Sequence, residues 1–268
     1  MINKATAFIL RDLIITSSYK LSFFLRFFGI FFSILVFYFI DKLFGGSMIQ
    51  QLESYGGDYF SFALIGLAFT GFLWAGLGRF SKVIRQGQVI GTLEAMLVTP
   101  TRISTIILFS SLWSFLAASI TSIIYLVIGA VVFGVDVGQA NFPAALVVLV
   151  LTILAFSSLG ILSASFIMVY KEGDPINWVF STLSSLLGGV FFPVAVMPEW
   201  LQKLSYLMPI TYSLDGMRLA ILKGYSLYAL RSDVIALLIF IIVLMPISII
   251  SFDIAVKKAK TDGTLTHY

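Results

Sequence analysis

The chain has 268 residues, 59% hydrophobic and only 11% charged, with a mean hydropathy of +1.03, where an ordinary soluble domain carries about 25% charged residues. That balance excludes an ordinary soluble enzyme and points to a membrane protein. Seventeen Lys and Arg against thirteen Asp and Glu give a net charge of +4, and with no cysteine and a single histidine, His267, the chain lacks the means for disulfides, Cys-type zinc sites or imidazole-based catalysis.

In chain order, residues 5–19 mix Phe8, Ile9, Leu13 and Ile14 with Arg11 and Asp12, the pattern of a helix lying at the cytoplasmic interface. A bilayer core about 30 Å thick needs about 20 helical residues to cross it. Six apolar windows of that kind follow, at residues 21–40, 60–78, 103–133, 142–170, 178–196 and 234–252. None alternates with the period of a membrane barrel. The first window is crowded with phenylalanine; Phe24, Phe28 and Phe31 could form an apolar or sugar-stacking wall, and Arg26 snorkels to the cytoplasmic head groups. Small residues recur in the fourth window (Ser157, Gly160, Ala164) and the fifth (Ser181, Ser184, Ser185, Gly188, Gly189). Ser184 and Gly188 have the four-residue spacing that lets helices approach closely, in a dimer interface, along a pathway or within the chain.

The connections carry the charge. Twelve Lys and Arg lie in the N-terminal stretch, residues 79–102, Lys171 and the tail, against five on the opposite side. Cytoplasmic segments retain positive charge, so both termini are expected in the cytoplasm. The basic character then belongs to membrane topology, and nucleic-acid binding loses its support. Residues 198–233 hold four of the five opposite charges, together with Pro198 and Pro209, which marks a structured outer element.

Within residues 79–102, a basic first half suits anionic head groups. The run GTLEAMLVTP, Gly91 to Pro100, is compatible with a short helix capped by Thr92 and stopped by the proline. Composition alone reads it as an interfacial loop. The string nevertheless resembles the hallmark GTLE-type segment of type-2 ABC exporter permeases, the family that includes drug, lipid-linked polysaccharide and nodulation-factor exporters. A second match follows in the same order as that family's C-terminal pattern: Lys171 to Pro175, Phe191 to Pro193, Met197 to Leu201, then Pro209, Thr211, Tyr212, Asp215 and Arg218.

The resemblance spans nearly the whole chain and implies an all-α, polytopic permease domain over residues 1–268. It implies six transmembrane helices, an N-terminal interfacial helix (1–20), a cytoplasmic coupling segment (79–102) and re-entrant outer helices (198–233). By resemblance, Val89 to Thr99 forms a coupling helix seated on an ABC ATPase subunit, with Val89, Gly91, Thr92, Leu93, Glu94, Leu97, Thr99 and Pro100 at the contact and Glu94 facing a basic partner residue. Gly173, Asp174 and Pro175 belong to a second, smaller contact. Phe191, Phe192, Pro193, Pro198 and Trp200 would help close the outer exit. Asp215 and Arg218, three apart, are expected to pair on one helical face.

The chain has no GxxxxGK[ST] phosphate loop, so ATP and Mg²⁺ are expected on a separate ATPase and the chain itself is not an enzyme. A second copy of this chain and membrane lipid are the other expected partners. The competing class, a channel or ion-coupled secondary transporter, would place ionisable residues deep within the spans. An intramembrane enzyme would need a paired-Asp, Ser-based or HExxH constellation there, and neither requirement is met.

Overall fold

The computed structural model describes residues 20–43, 50–90, 103–171 and 174–261, with isolated positions among the first nineteen. The expected interfacial helix lies for the most part outside the described residues. So do Gly91, Thr92, Leu93, Glu94, Leu97, Thr99 and Pro100 of the coupling segment, and Gly173.

The described residues contain eight α-helices and two short 3-10 turns, Gln50–Tyr55 and Val194–Val196, and no strand. The helices are α1 (Lys20–Leu43), α2 (Tyr59–Ile90), α3 (Ile103–Phe133), α4 (Phe142–Tyr170), α5 (Pro175–Leu187), α6 (Glu199–Ser205), α7 (Pro209–Leu222) and α8 (Arg231–Thr261). Five of them, α1 to α4 and α8, are long and apolar enough to cross a membrane. α5 has 13 residues, about 20 Å at 1.5 Å per residue, and stops well short of the far side. The apolar window 178–196 therefore contains a short helix and the turns after it. Gly188 caps α5, Gly189 takes a positive φ of 70°, and Pro193 opens the following 3-10 turn.

A second departure concerns α2. The expected connection begins at Arg79, but the helix continues to Ile90, because buried Phe80 and Ile84 carry its packed stripe onward and no proline interrupts it. Val89 thus sits exposed in the last turn of α2.

α2 is the central helix, packed on both α3 and α4, while α8 packs along α4. Its core residues Phe72 and Phe80 share a buried cluster with Phe156 of α4. Close approach of α2 and α4 depends on two glycines. A Cβ on Gly76 would lie 2.4 Å from that of Phe156, and one on Gly160 only 2.0 Å from the Gly76 carbonyl oxygen. α8 presents Asp233, Leu237, Ser248, Phe252, Ala255 and Ala259 as its buried seam. With half-buried Ile241 and Leu244 between Leu237 and Ser248, these follow three- and four-residue steps along one helical face, and the exposed face between Ile235 and Ile254 is largely apolar, as lipid contact requires.

The turns fall into two groups. Tyr55 to Ser61, Phe133 to Gln139 and Leu222 to Lys223 line one shared recess, and the Asn141 amide donates to the Ala220 carbonyl at 2.9 Å. The C-terminal half of α2, by contrast, lies beside the start of α5: a Cβ on Gly78 would be 3.9 Å from Asn177 Nδ2.

Candidate functional site

The sequence marks two regions, and the fold separates them to opposite ends of the bundle. At the first, α5 starts where Asp174 caps it. The Asp174 carboxylate accepts from the Asn177 amide at 3.0 Å and from the Ser163 hydroxyl of α4 at 2.5 Å. Pro175 follows at the first helical position, where its missing N–H costs nothing. Before it, Lys171 closes α4 with a φ of 62°, the left-handed region that favours glycine. The second expected contact is therefore a tight reversal tied to α4, and it lies at the same end as Val89.

The opposite region is the cap formed by residues 188–222. Gln202 donates to the Met197 carbonyl at 2.8 Å, Thr211 to the Ser205 carbonyl at 2.7 Å, and the Tyr212 hydroxyl to the Tyr206 carbonyl at 3.1 Å. These side chains satisfy backbone groups exposed where Pro193, Pro198 and Pro209 interrupt helices. Thr152 and Ser213 lie 2.6 Å apart and join α4 to α7.

At its centre, Arg218 is almost wholly buried, donating from Nε to the Phe62 carbonyl at 3.2 Å and from Nη2 to the Val190 carbonyl at 2.9 Å. Its guanidinium lies 3.4 Å from the Phe62 ring centroid, a cation–π contact made stronger by desolvation. Asp215 accepts the Tyr55 hydroxyl at 2.5 Å. Asp215 and Arg218 thus divide their direct bonds between α2, the Val190 turn and the 50–55 turn. They meet as neighbouring charges. Burial raises the pKa of Asp215, while the Tyr55 hydroxyl and Arg218 oppose the rise. Burial, then the Asp215 charge, pushes the Tyr55 phenol above its usual range. Arg218 is lowered by burial and supported by Tyr55 and Asp215, an arrangement in which the guanidinium keeps its charge.

Gly66 makes this possible. A Cβ there would lie 2.1 Å from the Val190 carbonyl oxygen and 2.9 Å from Arg218 Nη2. Sequence reasoning selects Asp215 and Arg218 but misses Tyr55, Gly66 and Val190, which lie in other elements; a glycine inside an otherwise bulky span was the available signal.

The remaining expected pathway residues scatter. Phe24 and Phe28 are exposed, with ring centroids 5.4 Å apart, and Phe28 continues to Phe32, whereas Phe31 turns toward the α1–α2–α3 packing. Ser184 is buried, and a Cβ on Gly188 would lie 2.3 Å from Ile210 Cγ2, so Gly188 lets the end of α5 sit against α7 within the chain. Phe191 stacks on Phe37 of α1 at 5.4 Å with a 7° interplanar angle, Pro193 is buried, and Phe192, Pro198 and Trp200 are exposed. Among the described residues no group of three or more His, Cys, Asp or Glu could hold a metal.

Comparison with known proteins agrees with this architecture. Nodulation protein J of Sinorhizobium fredii (strain NBRC 101917 / NGR234) is 27% identical over 192 residues, covering 68% of this chain and 71% of the relative. Nodulation protein J of Rhizobium leguminosarum bv. trifolii is 30% identical over 190 residues, covering 66% and 71%. The inner membrane transport permease YadH of Escherichia coli (strain K12) is 36% identical over 70 residues, 26% of this chain and 27% of the relative. The ABC-2 type transporter family model matches residues 8–222, a stretch that holds both marked regions. The chain therefore belongs to the ABC-2 type transporter family, as the multi-pass transmembrane subunit of a transporter that works with an ABC ATPase subunit.

Proposed function

We propose that this chain is the permease of an ATP-driven exporter, in which two copies enclose a pathway for a hydrophobic or amphipathic cargo: a drug-like molecule, a lipid or a lipid-linked glycan. The family match across residues 8–222 carries the reading. In this scheme both termini are cytoplasmic, α5 and the turns after it serve as the fifth of six membrane segments, and α6 and α7 are re-entrant. ATP and Mg²⁺ bind the partner subunit. The charge-poor spans suit an apolar or amphipathic cargo better than a small ion.

The mechanics follow from continuity of the chain. Residues 91–102, which follow Val89 and the end of α2, link α2 to α3; the two helices have 32 and 31 residues, about 48 and 46 Å. Closure of the ATPases on ATP pushes this link and the Asp174–Pro175 reversal together. Packed helices deliver such a push as rigid-body motion. α2 then transmits it to the outer cap, because Phe62 and Gly66 of the same helix hold Arg218 and Val190.

Glu94→Lys tests the coupling contact. The expected result is insertion and assembly as in the wild type, with transport-stimulated ATPase activity lost; normal coupled turnover would refute a coupling role for Glu94.

A further inference from the structure

A cleft of about 810 Å³ opens between α1, α2 and α3, at the same end of the bundle as the Asp174 cap but lined by none of the residues that form it. Three cations line it: Arg26 from α1, and Arg79 and Lys82 from α2. The α2 pair is three residues apart, hence on one helical face. No Asp or Glu is among the described residues lining the cleft.

Depth makes the charges meaningful. Arg79 is 20 residues beyond Tyr59, the first residue of α2, about 30 Å along the helix and so one hydrocarbon thickness from its outer end. Arg26 lies just inside the same end of its own span, which begins at Phe24. The cations thus stand at head-group level. From there the cleft runs into the membrane past Ala75 and Gly71 of α2 and Ala118 of α3. Gly71 is about 12 Å deeper than Arg79 at 1.5 Å per residue. Trp74 and Trp113, on its wall, are residues that prefer the membrane interface. The recess is kept open by missing side chains: a Cβ on Gly29, which lines it from α1, would meet nothing within 4 Å.

A cationic end joined to an apolar trough matches one chemistry, a phosphate carried on an acyl chain. We propose that this cleft binds an anionic phospholipid, its phosphate held by Arg26, Arg79 and Lys82 and a chain laid along Gly71 and Ala118. Basic pockets between transmembrane helices recognise such head groups in the cytoplasmic leaflet. Only the leaflet assignment rests on the topology of the exporter reading. The test below needs neither ATP nor the ATPase, so that reading can fail while this one stands.

The full-length protein is reconstituted in nanodiscs of phosphatidylglycerol and phosphatidylcholine in equal amounts, then released for native mass spectrometry of retained lipid. The wild type is expected to retain phosphatidylglycerol in preference to phosphatidylcholine by about tenfold or more. The combined variant Arg26→Gln, Arg79→Gln, Lys82→Gln should lose that preference, and Lys203→Gln in the outer cap should keep it. Gly29→Leu leaves every charge in place but projects a bulky side chain into the cleft one turn from Arg26; it should weaken lipid retention as well, and it decides the matter alone if the triple variant fails to insert. Inorganic phosphate added in excess should leave the lipid in place, whereas complete displacement by phosphate would reduce the site to a free-anion site. Equal retention of both lipids by the wild type, or undiminished preference in Gly29→Leu, overturns the proposal.

Discussion

Gly66 and Arg218 show how much of the cap at residues 188–222 depends on single atoms. Valine at position 66 would force its Cβ into the Val190 carbonyl, a backbone atom that cannot swing aside. Gly71, one and a half turns on, has only the Ala118 methyl group at 3.8 Å. Gly66→Val should therefore prevent stable folding, while Gly71→Ala leaves the thermal midpoint within a few degrees or raises it, since alanine favours the helix by about 1 kcal/mol. Equal midpoints for the two variants in detergent would contradict the packing described. A graded pair probes the charges. Arg218→Met strands the Val190 carbonyl and leaves buried Asp215 without its cationic neighbour, a loss of about 3–5 kcal/mol. Tyr55→Phe removes one hydrogen bond to Asp215, about 1–3 kcal/mol. The midpoints should fall in that order; a larger loss for Tyr55→Phe would mean that Asp215, and not Arg218, organises the cap. Spacing made Asp215 and Arg218 legible in the sequence as neighbours on a helix. Their true partners were not legible, because Phe62 and Tyr55 lie more than 150 residues away in the chain.

α5 is the element that hydropathy describes least well. Residues 178–196 are apolar almost throughout, so a window average merges a helix with the turns after it. The break comes from backbone chemistry at Gly188, Gly189 and Pro193, which hydropathy does not weigh. The converse happened at α2, where basic residues at 79, 82 and 85 looked like a connection although the helix continues beneath them. Charged side chains on an exposed face do not end a helix whose opposite face, at Phe80 and Ile84, is packed. The start of α5, by contrast, was legible as Asp-Pro, a cap followed by a residue suited to the first turn. Asp174→Ala removes that cap and the Ser163 link together, and should weaken the helix by about 1 kcal/mol or more. Hydrogen exchange should then speed up by about fivefold or more at residues 176–179 and remain slow in the core of α2. Asp174→Asn retains an acceptor for the Asn177 amide and should restore most of the protection. Unchanged exchange in Asp174→Ala would show that packing on α4 alone holds α5 in place.

For the whole molecule, the sequence makes alternation legible and hides centrality. Hydropathy does not mark α2 as the central helix: at 1.8 it is no more apolar than α1 at 1.9 and less so than α8 at 3.0, yet its apolar window is 61% buried against 11% for each of the other two. The distinction arises from glycines 66, 76 and 160, which admit neighbouring backbones. The fold groups the turns at 55–61, 133–139 and 222–223 around one recess, which places them on one side of the membrane. Which side is a question of charge, and the excess of Lys and Arg at the other end is the basis for proposing that end as the cytoplasmic one. The natural absence of cysteine gives thiol labelling no background. Cysteine at Gly138 replaces a residue whose nearest neighbour is the Asp136 carboxylate, 3.1 Å from an added Cβ, and exposed Gln86 lies near the C-terminal end of α2. In intact cells an impermeant thiol reagent should modify Gly138→Cys and Ser47→Cys, and should reach Gln86→Cys only after the membrane is opened. The reverse pattern would put both termini outside and move the lipid cleft to the opposite leaflet. Labelling of all three in sealed cells would mean that α2 does not cross the membrane, and would remove the lever proposed to join an ATPase contact to the cap at residues 188–222.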